Sequence, residues 1–551
     1  MDIPKEASMY DEAMSFCKTY HDPFSALYKL NTSDEAEIDK IFQEIKINVI
    51  ETNICTPSNI LYIISEIICF RCQYFKSYWI LFKKIYDQYQ PGNLRINYHP
   101  FRYLMFKEYG IPCIEEIIEE CKDLTMDVFE KNTISRAIME NDLQTFMKIT
   151  EQDDFDVNQE LRSIIYWQHM TLLEFCCYHG SVDCFKLLIS KFDLEFTWKC
   201  FGYSLLSGKP DIVNECLKYT LPNIRFKGDH NMRCAIFSHN IDFVSFLMNE
   251  YNMHVNLCAC AEYNNIQAFL AYLDQTKNID ECFVESPGFN LIPLCEYLLS
   301  KGADINAKNK LGQTCLFIAA SYGNAQLIEF LISHGADVNA RDDFMNTPLF
   351  EAANSKNKEA IECFLAHGFD VNAINSLGDN PLFYLFDFNN PENTDEIAEI
   401  FISHGIDFNL KNKDGMNAFH KAAQYSNKNT LELLISHGVD ILSKSNDWKT
   451  ALHYAAVTNN RDTYEFLISH GIDVNAKDND GNTAIHYVIL EDQGGPYPPE
   501  TSQRTSKTFQ YLISHGADIN AKNNQGKTAL QLARDQNDAF MEDILKSLGA
   551  E

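Results

Sequence analysis

Basic residues are scarce in this 551-residue sequence, in which 46 Lys and Arg stand against 77 Asp and Glu, for a formal net charge of −31. The acidic residues are spread along the chain rather than collected in one tail. Such a surface repels phosphate groups, so it argues against non-specific binding to nucleic acid or to anionic lipid. A high acidic content mainly favours solubility.

Features of secretion and membrane insertion are also missing. The first residues, MDIPKEASMYDEAM, contain neither the basic n-region nor the apolar h-region of a signal peptide. The most apolar stretch, 59–70, contains Glu66 and is followed by Arg71, so it is too short and too polar to span a membrane. We therefore expect a cytoplasmic protein in a reducing compartment, with its 18 cysteines present as thiols.

Motifs for metal binding and catalysis are absent as well. Cys69 and Cys72 form one CxxC and Cys258 and Cys260 form one CxC, but no second pair follows at zinc spacing. The chain contains no P-loop, no GxGxxG after a strand, no kinase motif set, no GxSxG and no HExxH. We predict a protein that is not an enzyme, with no catalytic residue, no cofactor and no metal.

One ten-residue motif is abundant instead. LISHGADVNA at 331–340 recurs as LISHGADINA at 512–521, and five related copies begin at 298, 364, 401, 434 and 467. The glycines of these copies, together with Gly549, follow one another at steps of 33, 33, 37, 33, 33, 45 and 33. A second motif runs in phase, as in MNTPLFEAA (345–353) and WKTALHYAA (448–456). A 33-residue period with a T-P-L-H-x-A-like motif resembles the ankyrin repeat.

The residue types of each repeat predict its local structure. Thr347 and Pro348 can open a short helix, with the hydroxyl capping free N–H groups. Paired alanines such as Ala319-Ala320 allow close helix packing, and Gly335 can end the second helix in the left-handed conformation. The His before each such glycine is expected to bond the last helical carbonyls rather than a metal. One unit cannot bury both faces, so stacking must do so.

The sequence therefore predicts an all-α fold: an ankyrin-repeat solenoid of helix-turn-helix units with short β-turn or hairpin tips, preceded by an α-helical N-terminal domain. We expect an N-terminal helical domain over 1–128, divergent ankyrin-like repeats over 129–296 and regular repeats over 297–551. Insertions are expected near 387–396 and 491–503, the second a loop rich in Gly and Pro. The first domain either has its own core or caps the first repeat.

A broader resemblance rests on two segments, HNIDFVSFLMNEYN (239–252) and CFVESPGFNLIPLCEYLLSKGADIN (282–306), and on KEYG (107–110). They are similar to a large family of ankyrin-repeat proteins, expanded in a parasitic flagellate protist, that carries a domain of unknown function before its repeats. The resemblance covers essentially the whole chain. It implies a fold and a broad role, because the activity of that family is not established.

The resemblance to ankyrin repeats implies an intracellular scaffold that binds other proteins through its concave surface and turn tips, and we expect neither nucleic acid nor membrane as a partner. The oligomeric state is left open. The tip residues that depart from ordinary polar turns, or that add an acidic rim, are the candidate partner-binding residues: Leu311, Phe344, Met345, Leu377, Asp447, Trp448 and Asp480. Two alternatives stay open: an adaptor whose residues 1–128 recruit an enzyme such as ubiquitination machinery, and an enzyme with a site in 129–296.

Overall fold

The chain forms two compact units, Met1–Ala303 and Asp304–Glu551, in a computed structural model. The structure describes residues 8–92, 94, 96–113, 115–122, 124, 129–130, 132–161, 169–220, 228–386, 394–425, 428–457, 461–490 and 499–551. Both units are built from helices, which confirms the predicted fold class. Within the described residues, the only sheet pairs two antiparallel two-residue strands, Glu160–Leu161 and Met170–Thr171. The predicted domain boundaries at 128 and 296 stay predictions.

The first unit begins with a group of longer helices and continues with helix pairs. Its N-terminal α-helices are Met9–Tyr28, Glu35–Ile45, Pro57–Ile67, Phe75–Tyr89, His99–Tyr109 and Glu115–Cys121. Shorter turns of other helix types are Lys46–Ile50 (π) and Ile68–Phe70 and Cys72–Tyr74 (3-10). The α-helices that follow are Ile134–Glu140, Leu143–Thr150, Leu172–His179, Val182–Lys191, Trp198–Ser207, Pro210–Thr220, Gly228–Phe237, Ile241–Tyr251, Leu257–Glu262, Ile266–Thr276, Ile279–Glu285 and Ile292–Ser300, with Ser286–Phe289 in 3-10 form.

The sequence explains where the N-terminal helices begin and how they pack. Thr56 caps the helix Pro57–Ile67, because its hydroxyl accepts a hydrogen bond of 3.2 Å from the N–H of Asn59. The apolar stripe of this helix and the next is buried, including Ile60, Ile64, Phe75, Trp79 and Phe82. The aromatic residues of the stripe therefore form core rather than a ligand site.

The same helices cover the turns between the paired helices of the first unit. Tyr20 donates to Asn264 Oδ1 across 2.8 Å, and Tyr28 stacks on His239 with ring centroids 4.3 Å apart. Further along, Tyr178 donates to the carbonyl of Cys69 and Asn290 donates to the carbonyl of Ile54, at 3.1 and 2.8 Å. Each of the four repeat residues lies at or just after the end of the first helix of a pair. The N-terminal helices therefore dock on the repeats of their own unit.

The second unit repeats a short first helix and a longer second helix. Its α-helices are Cys315–Tyr322, Ala325–Ser333, Pro348–Ser355, Lys358–Ala366, Thr394–Ser403, Ala418–Gln424, Lys428–Ser436, Ala451–Tyr454, Arg461–Ser469, Ala484–Leu490, Pro499–Ser514, Ala529–Asp535 and Ala539–Ser547. The alanines Ala319 and Ala320 are fully buried, as close packing of the helices requires. Gly335 has φ +94°, which confirms the predicted left-handed end of the second helix.

Three local predictions were wrong or only partly right. The hydroxyl of Thr347 is buried and makes no hydrogen bond, because the N–H of Phe350 donates to the carbonyl of Thr347 instead, at 3.0 Å. The segment Pro381–Leu385 is a 3-10 helix, where its repeat predicted an α-helix. Residues 499–503 begin the helix Pro499–Ser514 rather than a loop, whereas 387–393 and 491–498 lie outside the described residues.

Candidate functional site

Each turn tip of the second unit is a small hairpin held by one polar side chain. In the tip at 342–346, the N–H of Asp342 donates to the carbonyl of Asn346 across 3.1 Å. The Asp342 carboxylate accepts from the N–H groups of Phe344 and Asn346, at 2.9 and 2.8 Å. Asn309, Asn375 and Asn412 do the same in their own tips. These side chains fix the hairpins, so the residues at their apices have defined positions.

Hydrogen bonds also join each tip to the next. The carbonyl of the apex residue accepts from a backbone N–H of the following repeat, as between Leu311 and Asp343 (3.0 Å) and between Asp447 and Asn479 (2.9 Å). The apex residues bonded in this way are Leu311, Phe344, Leu377, Asp414, Asp447 and Asp480. Five of the seven candidate residues therefore occupy one equivalent position in a continuous row of tips.

The other two candidates, Met345 and Trp448, occupy the next position of the tip, in a left-handed backbone conformation. Their φ angles are +65° and +62°. The equivalent residue elsewhere is a glycine with positive φ, at 312, 378, 415, 481 and 526. Left-handed backbone costs a residue with a Cβ roughly 1–2 kcal/mol. Met345 and Trp448 thus keep large side chains where five sister tips use glycine.

The candidate side chains are open to solvent. Leu311, Phe344, Leu377 and Trp448 are 53–57 % exposed and Met345 is 48 % exposed. Asp447 and Asp480 are also exposed. Trp448 makes a cation–π contact with Lys444, whose ammonium lies 4.7 Å from the centroid of the Trp448 ring. Packing against the neighbouring turn therefore does not remove these side chains from water.

Three exposed residues near the tips escaped sequence analysis. Asp414 occupies the apex position between Leu377 and Asp447, and the 37- and 33-residue steps of the repeat would have identified it. Ile374 and Leu442 are 50 % and 61 % exposed, and each replaces a polar residue of its register. A comparison of each position across the repeats would have found all three.

The repeated histidines have structural roles. In the SHG motifs, Nδ1 of His334 lies 2.8 Å from the carbonyl oxygen of Phe330, and the other five motif histidines make the same contact at 2.8–3.0 Å. His453 accepts from the N–H of Thr450 and donates to the carbonyl of Asn482 in the next repeat, at 3.0 and 3.2 Å. Burial lowers the pKa of His453, so this neutral form is favoured.

No group of three or more His, Cys, Asp or Glu among the described residues is arranged to hold a metal ion. All eighteen cysteines are thiols, and no two of them form a disulfide. Across the described part of the chain, none of the helices is both long and apolar enough to cross a membrane.

Family models that match the sequence agree with this architecture. A family model for a domain of unknown function, DUF3447, matches residues 192–272. Ankyrin-repeat models match 284–375, 382–478 and 442–497, and a single-repeat model matches 480–524. The chain therefore carries ankyrin repeats preceded by a DUF3447 domain, as predicted, and the protist family stays a prediction. The human ASB11 ankyrin repeat domain is 21 % identical over 43 % of this chain and 99 % of that one, with a TM-score of 0.37. No curated protein matches.

Proposed function

We propose that this protein is a non-enzymatic intracellular scaffold that binds partner proteins through the turn tips of its ankyrin repeats and the concave surface beside them. Ankyrin repeats favour a role in protein–protein interaction. Trp, Phe and Met are enriched in protein interfaces, and Trp is among the residues that contribute most to binding energy. The row of tips offers them on hairpins that are already fixed, so little ordering is needed on binding.

The observation that carries the proposal is the backbone of Met345 and Trp448. Both residues adopt a left-handed backbone conformation that lowers the stability of the fold, yet their side chains are about half exposed. Glycine at either position would relieve this strain, as five sister tips demonstrate. A contact outside the chain supplies a reason to keep the larger side chains.

Affinity capture from native extract tests this function. The baits are the full chain and a Met345→Gly/Trp448→Gly variant, which relieves backbone strain and so keeps its fold. We expect partners that bind the full chain and are lost from the variant. Ile47→Ser is the matched control, because Ile47 is 55 % exposed but lies in the N-terminal helices. Partners that remain on the glycine variant and are lost from Ile47→Ser would overturn the proposal and favour the adaptor alternative.

A further inference from the structure

One of the turns that the N-terminal helices cover carries a histidine. His239 has φ +52° and lies between the helices Gly228–Phe237 and Ile241–Tyr251 of one pair. The equivalent residue in the five other helix pairs that the structure describes in this unit also has positive φ, and it is Asn or Gly: Asn141, Gly180, Gly208, Asn264 and Asn290. Left-handed backbone accommodates Asn and Gly at least as well as His, so the turn itself does not require a histidine.

The ring of His239 is enclosed between the first helix of the chain and the repeats. It is 1 % exposed, and it stacks on Tyr28 with ring centroids 4.3 Å apart and ring planes at 23°. Its Nε2 lies 2.8 Å from the carbonyl oxygen of Tyr263, in the next helix pair. Because a carbonyl oxygen only accepts, Nε2 carries the proton of the neutral ring and Nδ1 carries the lone pair. Nδ1 is buried and has no hydrogen-bond partner among the described residues.

The charged groups that act on this ring are cations or can become cations. His21 lies on the first helix, and Lys29 is the residue that ends it. Arg71 lies in the break between the 3-10 turns Ile68–Phe70 and Cys72–Tyr74. Burial, and after it repulsion from Arg71, lowers the pKa of Lys29, so the surroundings of the ring already disfavour positive charge.

The other titratable groups on the packed elements do not offset this charge. Glu262, beside Tyr263, is paired with Arg233 at 2.8 Å. Asp22, on the first helix, is exposed and acts on the other histidine of the contact. The hydroxyl groups of Tyr28 and Tyr263 stay neutral, because burial raises the pKa of each.

A second proton on His239 is therefore unfavourable while the helices are docked. It would make Nδ1 a buried donor without an acceptor, close to two cations. Burial is the main reason that the pKa of the docked ring is lowered to about 3, whereas a ring in water titrates near pH 6.5. Docking is thus at full strength above about pH 6.5, and it weakens as the pH falls from there towards 3.

We propose that the contact between His239 and Tyr28 is a pH-sensitive switch, which releases the N-terminal helices from the repeats of their own unit in acidic surroundings. Between pH 7.5 and 5.5, a ring that must lose its proton in order to dock weakens the docking equilibrium about tenfold. Asparagine in the same turn would have no such dependence, since it does not titrate. The switch is independent of the binding role of the tips.

Hydrogen exchange of the full chain at pH 7.5 and 5.5, followed by mass spectrometry, tests the switch, with exchange times scaled to the intrinsic rate at each pH. We expect the protection of the helix Met9–Tyr28 to fall at least about tenfold in the wild type and about tenfold less in His239→Asn. Asn holds the equivalent turn at 264 and 290, so this variant keeps its turn. His169→Asn is the matched control. The His169 side chain is 51 % exposed in the same unit, and its loss should leave the pH dependence unchanged.

The helix Ile241–Tyr251, in the same pair as His239, is the internal reference, because it should stay folded when the N-terminal helices are released. The proposal is wrong if the wild type loses no more protection in Met9–Tyr28 than in this reference. Equal losses there would mean that the whole unit unfolds in acid. A full pH dependence in His239→Asn, or an equal reduction in His169→Asn, would also overturn it. Each variant is compared with itself at two pH values, so a lower stability at pH 7.5 does not affect the result.

Discussion

Tyr20 donates a hydrogen bond of 2.8 Å to Asn264, whose position in the chain is 244 residues further on, and both side chains are buried. Asn264 itself has φ +53°, at the turn between the helices Leu257–Glu262 and Ile266–Thr276. The bond joins the first helix of the chain to the repeats of the same unit. It therefore reports directly on the docking of the N-terminal helices.

Tyr20→Phe should lower the free energy of unfolding of the first unit by about 1–3 kcal/mol, because it leaves the buried Asn264 amide oxygen without a donor. Urea titration measures the change. Tyr109→Phe is the control, since it removes a hydrogen bond to the exposed carboxylate of Asp87 and should cost less. Equal losses in the two variants would mean that the Tyr20 bond adds nothing beyond an exposed one.

Met345→Gly and Trp448→Gly should each raise the free energy of unfolding of the second unit, by about 0.5–1 kcal/mol. Relief of the left-handed strain, roughly 1–2 kcal/mol, exceeds the added entropy of glycine in the unfolded chain. We expect the smaller gain for Trp448→Gly, because this substitution also removes the contact between the Trp448 ring and Lys444. The urea concentration at the unfolding midpoint measures both gains in stability, provided that the slope of unfolding free energy against urea is unchanged. Destabilised variants would indicate that the side chains pack usefully in the free protein.

Leu442→Asn should stabilise the second unit by about 1 kcal/mol. Leu442 stands where Asn475 stands one repeat later, and Asn475 donates to the carbonyl of Gly516 (2.7 Å) and accepts from the N–H of Asp518 (2.8 Å). Asparagine at 442 can make the equivalent bonds to Gly471 and Asp473. Thermal or urea unfolding checks the gain. Leu442→Ala is the control, and an equal gain there would trace the effect to the loss of an exposed leucine.

The second unit should lose stability as the pH falls from about 6.5 towards 4. Burial lowers the pKa of His420 to about 4, and it also lowers the pKa of His453 and His486. The unfolded chain binds protons at these sites near pH 6.5 while the folded chain does not, so acid favours unfolding. For His420 alone the loss is about 2 kcal/mol at pH 5.

The triple variant His420→Gln/His453→Gln/His486→Gln should flatten this pH dependence. Glutamine occupies the same position in the last repeat, where Gln531 accepts from the N–H of Thr528 at 3.0 Å. Unfolding free energies at pH 7.5 and pH 5 give the comparison. An unchanged difference between the two pH values would show that other groups cause the acid sensitivity.

Periodicity made much of the second unit predictable from sequence. Gly335 and its equivalents recur every 33 positions because each repeat packs in the same way. Their spacing alone therefore predicts where the second helices end and which residues form the row of tips. The same periodicity carries no information on irregular features. The predicted cap at Thr347 is missing because the N–H of Phe350 donates to the Thr347 carbonyl rather than to the hydroxyl, a choice of local geometry that the motif does not specify.

The docking of the N-terminal helices could not be read from the sequence. Its contacts join residues such as Tyr20 and Asn264, or Ile54 and Asn290, at separations of 244 and 236 residues with no repeat between partners. The binding role of the tips is similar in this respect. The repeat identifies which residues lie at the apex. It does not identify the partner, because recognition also depends on the partner's own sequence.

The distance between Tyr20 and Asn264 also sets an order of events during synthesis. At about 5–20 residues per second, a ribosome needs roughly 12–50 s to make the 244 residues that separate them. For most of that interval the nascent first helix carries the rings of Tyr20 and Tyr28, while the repeat residues that they contact, Phe289 and Phe237, are still untranslated. Expression of this protein should therefore depend on chaperones that shield the nascent N-terminus, more than on the fast, local folding of its repeats.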